Sequence, residues 1–263
     1  MLEKLDLSRK LSKAQYKLRL PALHERLYQL QKACWTARIP SILAFEGWDT
    51  AGKGTTIAAL TQPLEPRGFR LHHIVAPRTF ETQLPWLWRF WQKIPNYGEM
   101  AIFDRSWYGR VLVERLEKLV PKAEWQRAFR DIVSLERTLA DDGYVIIKFF
   151  LHISKKEQAK RLKSLEKDPL TAWHVEREDW ERNRRYDEHL EAIEEMLEHT
   201  ETEWGPWTLV ESTDRRWRRT RVFETVIERL ENALTRRGIP LPERRAVERS
   251  ARKSPAVRRG ARK

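Results

Sequence analysis

Gly47, Gly52 and Lys53 stand in the G-x-x-x-x-G-K relation within Phe45-Glu46-Gly47-Trp48-Asp49-Thr50-Ala51-Gly52-Lys53-Gly54-Thr55-Thr56. That spacing suits a loop whose main-chain N–H groups turn inward on an anion while a lysine bridges oxygens of neighbouring phosphates. The chemistry it points to is phosphoryl transfer. Gly47, Thr50, Ala51, Gly52, Gly54, Thr55 and Thr56 are the expected phosphate-binding positions. Gly54 fills the slot where many such loops carry the Ser or Thr that touches magnesium. Thr55 and Thr56 are both near enough to substitute, and the spacing leaves open which does.

A second chemical segment is Ile102-Phe103-Asp104-Arg105-Ser106-Trp107-Tyr108-Gly109-Arg110, an acid directly after an apolar run and followed by two arginines. In a phosphate-loop protein that aspartate is placed to hold magnesium, directly or through water, while Arg105 and Arg110 neutralise charge on the transferring group. The structural alternative is that Asp104 caps the next helix and Arg105 pairs with an acid. Asp49 would be a second carboxylate at the same edge, for a metal or for the acceptor oxygen, or else an aspartate that stabilises the turn. The expected catalytic set is therefore Asp49, Lys53, Asp104, Arg105 and Arg110, with Asp49 and Asp104 as Mg²⁺ ligands.

Further on, Lys156, Lys160, Lys163 and Lys167 fall at i, i+4, i+7 and i+11, one basic stripe of a helix that also carries Arg161. Such a stripe is either a solvated face or a lid that closes over a chain of phosphates and excludes water.

These residues need elements to hold them. Residues 40–45 read as a buried strand running into the loop and 55–60 as the first turns of a helix, the strand–loop–helix setting the motif requires. Leu20, Leu23, Leu27 and Leu30 mark an amphipathic helix ahead of it. Further strands are expected at 69–75, 99–103, 144–151 and 207–211, with helices at about 106–118, 122–141, 154–167, 176–199 and 215–236, and a Trp-rich helix from Pro85. The pattern predicts an α/β fold, a mainly parallel five-stranded sheet with helices on both faces and the site at the strands' carboxyl ends. Of the twelve tryptophans, most, such as Trp86, Trp180 and Trp217, are expected to pack in the core. Trp48, inside the loop, is expected to form a wall of the site instead.

Composition bounds the rest. With 263 residues, 41% of them hydrophobic, the chain can bury a sizeable core. No apolar run approaches the roughly 20 residues that cross a bilayer, the N-terminus lacks a signal-peptide core, and the single Cys34 excludes an intrachain disulfide, so a cytoplasmic protein is expected. The net charge of +13 is unevenly spread: Arg236 to Lys263 holds eleven Lys/Arg against Glu243 and Glu248, a net +9 that leaves +4 for the remainder. That end, with Pro240, Pro242, Pro255 and Gly260, shows no period and is expected to be a disordered basic tail. The expected organisation is a helical segment at 1–39 packed on a phosphate-loop domain at 40–236, with a lid at about 154–185 and the tail at 237–263.

Taken together, F-E-G-W-D-T-A-G-K-G at 45–54, F-D-R-S-W-Y-G-R-V-L-V-E-R at 103–115, K-F-F-L-H-I-S-K-K-E-Q at 148–158 and D-P-L-T-A-W at 168–173 resemble the polyphosphate kinase 2 family over about residues 12–235. W-Y-G-R-V-L-V-E-R with W-L-W-R-F-W at 86–91 is most similar to the branch that phosphorylates nucleoside monophosphates. The resemblance implies a phosphate-loop kinase fold and transfer from inorganic polyphosphate to a nucleotide, typically AMP to ADP. It also implies Mg²⁺ and a nucleoside mono- or diphosphate partner. Asp49 and Asp104 would then act around magnesium and the acceptor, Lys53 and Arg105 on phosphates, in a homodimer or homotetramer. It implies a polyphosphate-guiding lid, for which Lys156, Lys160, Arg161, Lys163, Lys167 and His174 are the candidates. Gly54 is the family's usual choice, whereas Thr50 and Thr55 replace small Ala and Gly, Leu165 takes a slot often held by arginine, and His174 stands where lysine is common. Two fixed charges are thereby lost, which should weaken attraction for polyphosphate. His174 restores part of it below its unperturbed pKa near ~6.5. The competing readings are an ATP-dependent nucleoside monophosphate kinase, which shares E-G-x-D-x-A-G-K, and a basic nucleic-acid-binding protein with a relict phosphate loop. The D-R-S-W-Y run and the basic stripe speak against the first, and nucleic acid is not expected as a partner except through the basic tail.

Overall fold

A computed structural model describes residues 1–243. In chain order the elements are α1 (Lys13–Thr36), β1 (Ser41–Gly47), α2 (Lys53–Thr61), β2 (Phe69–His73), α3 (Trp88–Trp91), β3 (Met100–Asp104) and α4 (Val113–Leu116). There follow α5 (Lys122–Asp141), β4 (Val145–His152), α6 (Lys155–Lys167), α7 (Arg177–Arg184), α8 (Tyr186–Thr200), β5 (Trp207–Glu211) and α9 (Arg215–Arg236). The five strands form one parallel sheet in the order β2-β3-β1-β4-β5. β1 and β4 are buried almost throughout, as central strands of a sheet covered on both faces must be. Register sets the site: Phe45 of β1 lies opposite Asp104 of β3, and Gly47 opposite Leu151 of β4. The loop after β1 and the residues after β3 therefore emerge side by side.

Local sequence explains the principal helices. Ser12 and Gln15 form a capping box at the start of α1, and the Asp214 side chain accepts from Trp217 N–H to open α9. α1 and α9 pack together, with Leu27, Leu30, Val226 and Leu230 buried and Arg26 paired to Glu231 at 2.6 Å. The beginning of the expected tail is anchored: Arg237 Nη2 donates to Gly143 O at 2.7 Å, Ile239 packs on the core, and Arg26 Nη1 donates to Pro242 O at 2.6 Å. The remainder of that tail, residues 244–263, lies outside the described residues.

Three expected helices differ. Residues 106–118 form a 3₁₀ turn, Trp107–Arg110, and the short α4. Trp107 and Tyr108 are both fully buried. They are drawn in by a buried ion pair: Lys148 Nζ sits 2.8 Å from Glu136 Oε2, and Glu136 Oε1 accepts from Trp107 Nε1 and from the Tyr108 hydroxyl. The expected helix at 176–199 is broken at Arg185, which caps α7 and opens α8 while its guanidinium holds Leu116 O and Glu188. The Trp-rich helix shrinks to α3, with Trp86 half-buried ahead of it. No helix among the described residues is long and apolar enough to cross a membrane.

Candidate active site

The phosphate loop is shaped by residues at positive φ. Gly47 (φ +139°) leaves β1 so close to β4 that a Cβ there would meet Leu151 O at 2.4 Å. Thr50 (φ +62°) and Gly52 (φ +98°) turn the chain into α2, which begins at Lys53. The first N–H groups of α2, unpaired within the helix, face the loop, a setting whose dipole and donors suit an anion. Gly54 has open space around it. Its freedom there is not a packing requirement. Thr56 is buried and its Oγ1 donates to Gly52 O at 2.8 Å, while Thr55 Oγ1 donates to the same carbonyl at 3.1 Å.

Lys53 lies over the loop, its Nζ donating to Gly47 O at 2.7 Å and Trp48 O at 3.2 Å. Burial lowers its pKa, opposed chiefly by Asp49 and then by Glu46 and Asp104. Arg105 follows β3 at φ +64°, its N–H held by Phe45 O, and its Nη2 donates to Asp49 Oδ1 at 2.9 Å. The other Asp49 oxygen faces Arg182 Nη1 of α7 at 3.4 Å. Burial pushes the Asp49 carboxyl up, but Lys53, Arg105 and Arg182 outweigh it and hold the pKa below the ordinary value. Asp49 is thus a carboxylate bridging the end of β3 and the helix after the basic stripe. The predicted alternative of an Arg105 ion pair is realised, with the other site acid as its partner. Asp104 does not cap the following helix: Ser106 does, and Asp104 Oδ2 lies 3.4 Å from His73 Nδ1.

The structure brings together Asp49, Lys53, Arg105 and, at the neighbouring strand end, Asp104. Arg110 stands apart. It pairs with Glu114 at 3.2 Å and Glu124 at 3.6 Å and lies over the Trp86 ring, lining a separate 650 Å³ cleft with Arg89. Below the loop is a 90 Å³ cavity bordered by Gly47, Asp49, Arg105, Gln158, Arg182 and His189. Buried Glu46 borders it too, accepting from Ser106 Oγ at 2.8 Å, and burial raises its pKa.

Trp48 packs into the core, against expectation, while it also lines the cavity below the loop. It is only 5% exposed, stacks on Tyr186 with centroids 3.9 Å apart, and donates from Nε1 to His152 Nδ1 at 2.9 Å. The loop turns this side chain into the core because β4 and α8 converge beneath it. His152 is kept neutral by burial, which pushes its pKa down to about 4.

On α6, Lys156, Lys160, Lys163 and Lys167 are exposed, whereas Arg161 turns inward and donates to Thr50 O, Ser212 O and Thr213 O. The stripe is therefore four lysines, and Arg161 braces the loop. His174 ends a short 3₁₀ turn between α6 and α7. Gln158 Nε2 donates to Asp49 O at 3.3 Å and its Oε1 accepts from Asn183, tying loop, α6 and α7. Sequence reading missed Arg182, Arg218, Gln158 and Asn183. Gln158 ends the K-K-E-Q run and Arg182 and Asn183 fall within the expected lid, whereas Arg218 had no advance signal beyond lying in an arginine-rich helix.

No group of three or more His, Cys, Asp or Glu that could hold a metal occurs among the described residues. Asp49 and Asp104, both acting on the Lys53 ammonium, still suit Mg²⁺, which takes one or two carboxylates and completes its shell with water and phosphate oxygens.

Comparison with known proteins adds independent findings. The family model described as polyphosphate kinase 2 matches residues 10–238. A polyphosphate:AMP phosphotransferase of Pseudomonas syringae pv. tomato is 39% identical over 236 residues, 90% of this chain and 47% of that protein. An AMP/ADP-polyphosphate phosphotransferase of Meiothermus ruber is 37% identical, covering 81% of this chain and 80% of its own. The crystal structure of polyphosphate kinase 2 from Arthrobacter aurescens TC1 superposes with a TM-score of 0.85 at 29% identity, over 92% of this chain and 88% of that one. The chain spans about half the length, 47%, of the first curated relatives it matches.

Proposed function

The chain belongs to the polyphosphate kinase 2 family, and from that premise we propose that it transfers a phosphoryl group from inorganic polyphosphate to a nucleotide, with AMP to ADP as the favoured reaction. One observation carries the reading: the Asp49 carboxylate, in the loop before Lys53, is bridged by Arg105 from the end of β3 and Arg182 from α7. Loop, strand end and lid region thus meet at one acid beside a phosphate-binding lysine. The names of the relatives, polyphosphate:AMP phosphotransferase and AMP/ADP-polyphosphate phosphotransferase, support this donor and acceptor.

In this proposal Lys53 and Arg105 balance charge on the phosphoryl group in flight, in a site where pre-placed cations need no reorganisation. Asp49 and Asp104 would hold Mg²⁺, which when bound draws phosphate oxygens together and neutralises their charge. The acceptor phosphate is already ionised near neutral pH, so Asp49 orients it and no obligatory base is required. Gly47, Thr50, Ala51, Gly52, Gly54, Thr55 and Thr56 surround the transferred phosphates. The exposed lysines of α6 guide the polymer, with His174 near the lid's turn. Arg110 acts at the adjoining cleft. The same proposal takes 40–236 as the transfer domain, 1–39 as its packed helical lead, about 154–185 as the lid and 237–263 as a basic tail, in a cytoplasmic homodimer or homotetramer.

Incubation with Mg²⁺ and long-chain polyphosphate, offering AMP, GMP, ADP and GDP separately, tests the reading. ADP from AMP as the fastest product is expected. No product from any acceptor would sink it.

A further inference from the structure

Arg218 lies in the first turn of α9 and is 3% exposed, and its side-chain hydrogen bonds end on the phosphate loop, the start of α2 and Ser212. Its Nε donates to Thr56 Oγ1 at 2.7 Å, Nη1 to Ala51 O at 2.9 Å and Ser212 O at 3.1 Å, and Nη2 to Thr55 Oγ1 at 3.2 Å. The guanidinium lies flat against the glycine before Lys53: a Cβ on Gly52 would sit 2.5 Å from its central carbon. Gly52 is therefore required for its backbone turn and also for the space that Arg218 fills.

The charge is left unbalanced. Burial, then Arg161, Arg219 and Arg215, bring its pKa down to about 9, and Asp214 opposes them. Asp214 itself is engaged by the N–H groups of Trp217 and Leu11 and by Arg216. Arg161 adds a second cation at the same place, because its Nη2 shares Ser212 O with Arg218 while Nη1 holds Thr50 O. Two guanidinium groups thus hold the loop from behind by the carbonyls of Thr50 and Ala51; across the Ala51 peptide the Gly52 N–H points away from them, while the N–H across the Thr50 peptide, that of Ala51, is taken by Trp48 O. A buried cation lacking a carboxylate in contact is costly unless an anion nearby compensates it.

We propose that Arg218 is a positioning residue for phosphate binding: anchored behind the loop at Ala51, Thr55 and Thr56, it sets a fixed positive charge that acts through the single layer of the loop on the phosphates beyond. The proposal rests on the reading of the loop as a phosphate site. The blander role is a tie between α9 and α2, which would serve stability alone.

The two are separated by comparing R218K, which keeps the charge and loses the planar fork, with R218Q, which keeps a donor and loses the charge. Each is titrated with inorganic tripolyphosphate by calorimetry at a temperature where circular dichroism shows it folded, with Tm recorded alongside. R218Q is expected to bind about tenfold or more weakly and R218K within about threefold of wild type, with similar losses in Tm, because charge is what the phosphates feel. In steady-state transfer from polyphosphate to AMP, KM for the donor should rise in R218Q more than kcat falls. Wild-type affinity in R218Q overturns the proposal, as does an equal weakening in both variants that tracks Tm. Wild-type protein that binds tripolyphosphate but phosphorylates no nucleotide contradicts the proposed function, and the variant comparison then still decides the role of Arg218. Wild-type protein that binds no tripolyphosphate contradicts both.

Discussion

Asp104 sits at the end of β3, opposite Phe45 and 3.4 Å from His73, whereas Asp49 is held by Arg105 and Arg182. Replacing it with asparagine changes charge and almost nothing in volume. D104N is therefore expected to lose at least about a hundredfold in transfer rate, on the scale of removing one electrostatic contributor, while its Tm stays near that of wild type. Unchanged activity would remove Asp104 from the proposed role. His152 makes a pH prediction. Its folded pKa of about 4 lies below the ordinary 6.5, so between those values the unfolded chain binds the extra proton. Its contribution to stability is fully present above pH 6.5 and declines as pH falls towards 4. H152N, which keeps an acceptor for Trp48 Nε1, should flatten that part of the Tm-against-pH curve; an unaltered slope would contradict it. The motif residues of the loop and strand end were legible because few residue types can serve there. Trp48, Arg182 and Arg218 were not, since the direction a side chain takes from a loop or an arginine-rich helix is decided by what packs beneath it.

The strands and the long helices followed from apolar period and caps, and α5 and α9 fall where the sequence predicts them. Two of the three departures are places where tertiary contacts override local preference: the Glu136–Lys148 pair that pulls in Trp107 and Tyr108, and the Arg185 contacts that divide α7 from α8. Within the loop, glycine positions differ in kind. G47A should destabilise the fold measurably by thermal denaturation, because its Cβ meets Leu151 backbone at 2.4 Å and its φ is +139°, whereas G54A should melt close to wild type. Equal Tm values for the two would refute this account of the loop. For α6, replacing Lys156, Lys160, Lys163 and Lys167 with glutamine should raise KM for long-chain polyphosphate several-fold and flatten its dependence on salt, with kcat less affected. An unaltered KM would mean that the stripe is only a solvated face.

At the scale of the molecule, the α/β class and the parallel sheet were readable from alternating strands and helices, whereas the order β2-β3-β1-β4-β5 was not, because periodicity does not say which strands are neighbours. The order matters because it sets β1 between β3 and β4, so that the loop, Asp104 and His152 share one edge. The charge asymmetry was legible too, but not that the first residues of the basic end pack on the fold. Arg237, Ile239 and Pro242 are docked on the fold. Removing residues 244–263 should leave transfer activity largely intact and abolish any nucleic-acid binding, while a cut after Thr235 should also lower Tm. The central claim, that polyphosphate is the phosphoryl donor to a nucleotide, is tested most directly by supplying ³²P-labelled polyphosphate with unlabelled AMP and Mg²⁺ and following the label by chromatography. Label appearing in the β-phosphate of ADP, and absent with D104N, is the predicted result. ADP formed only when ATP is added, with the label remaining in polyphosphate, would contradict it.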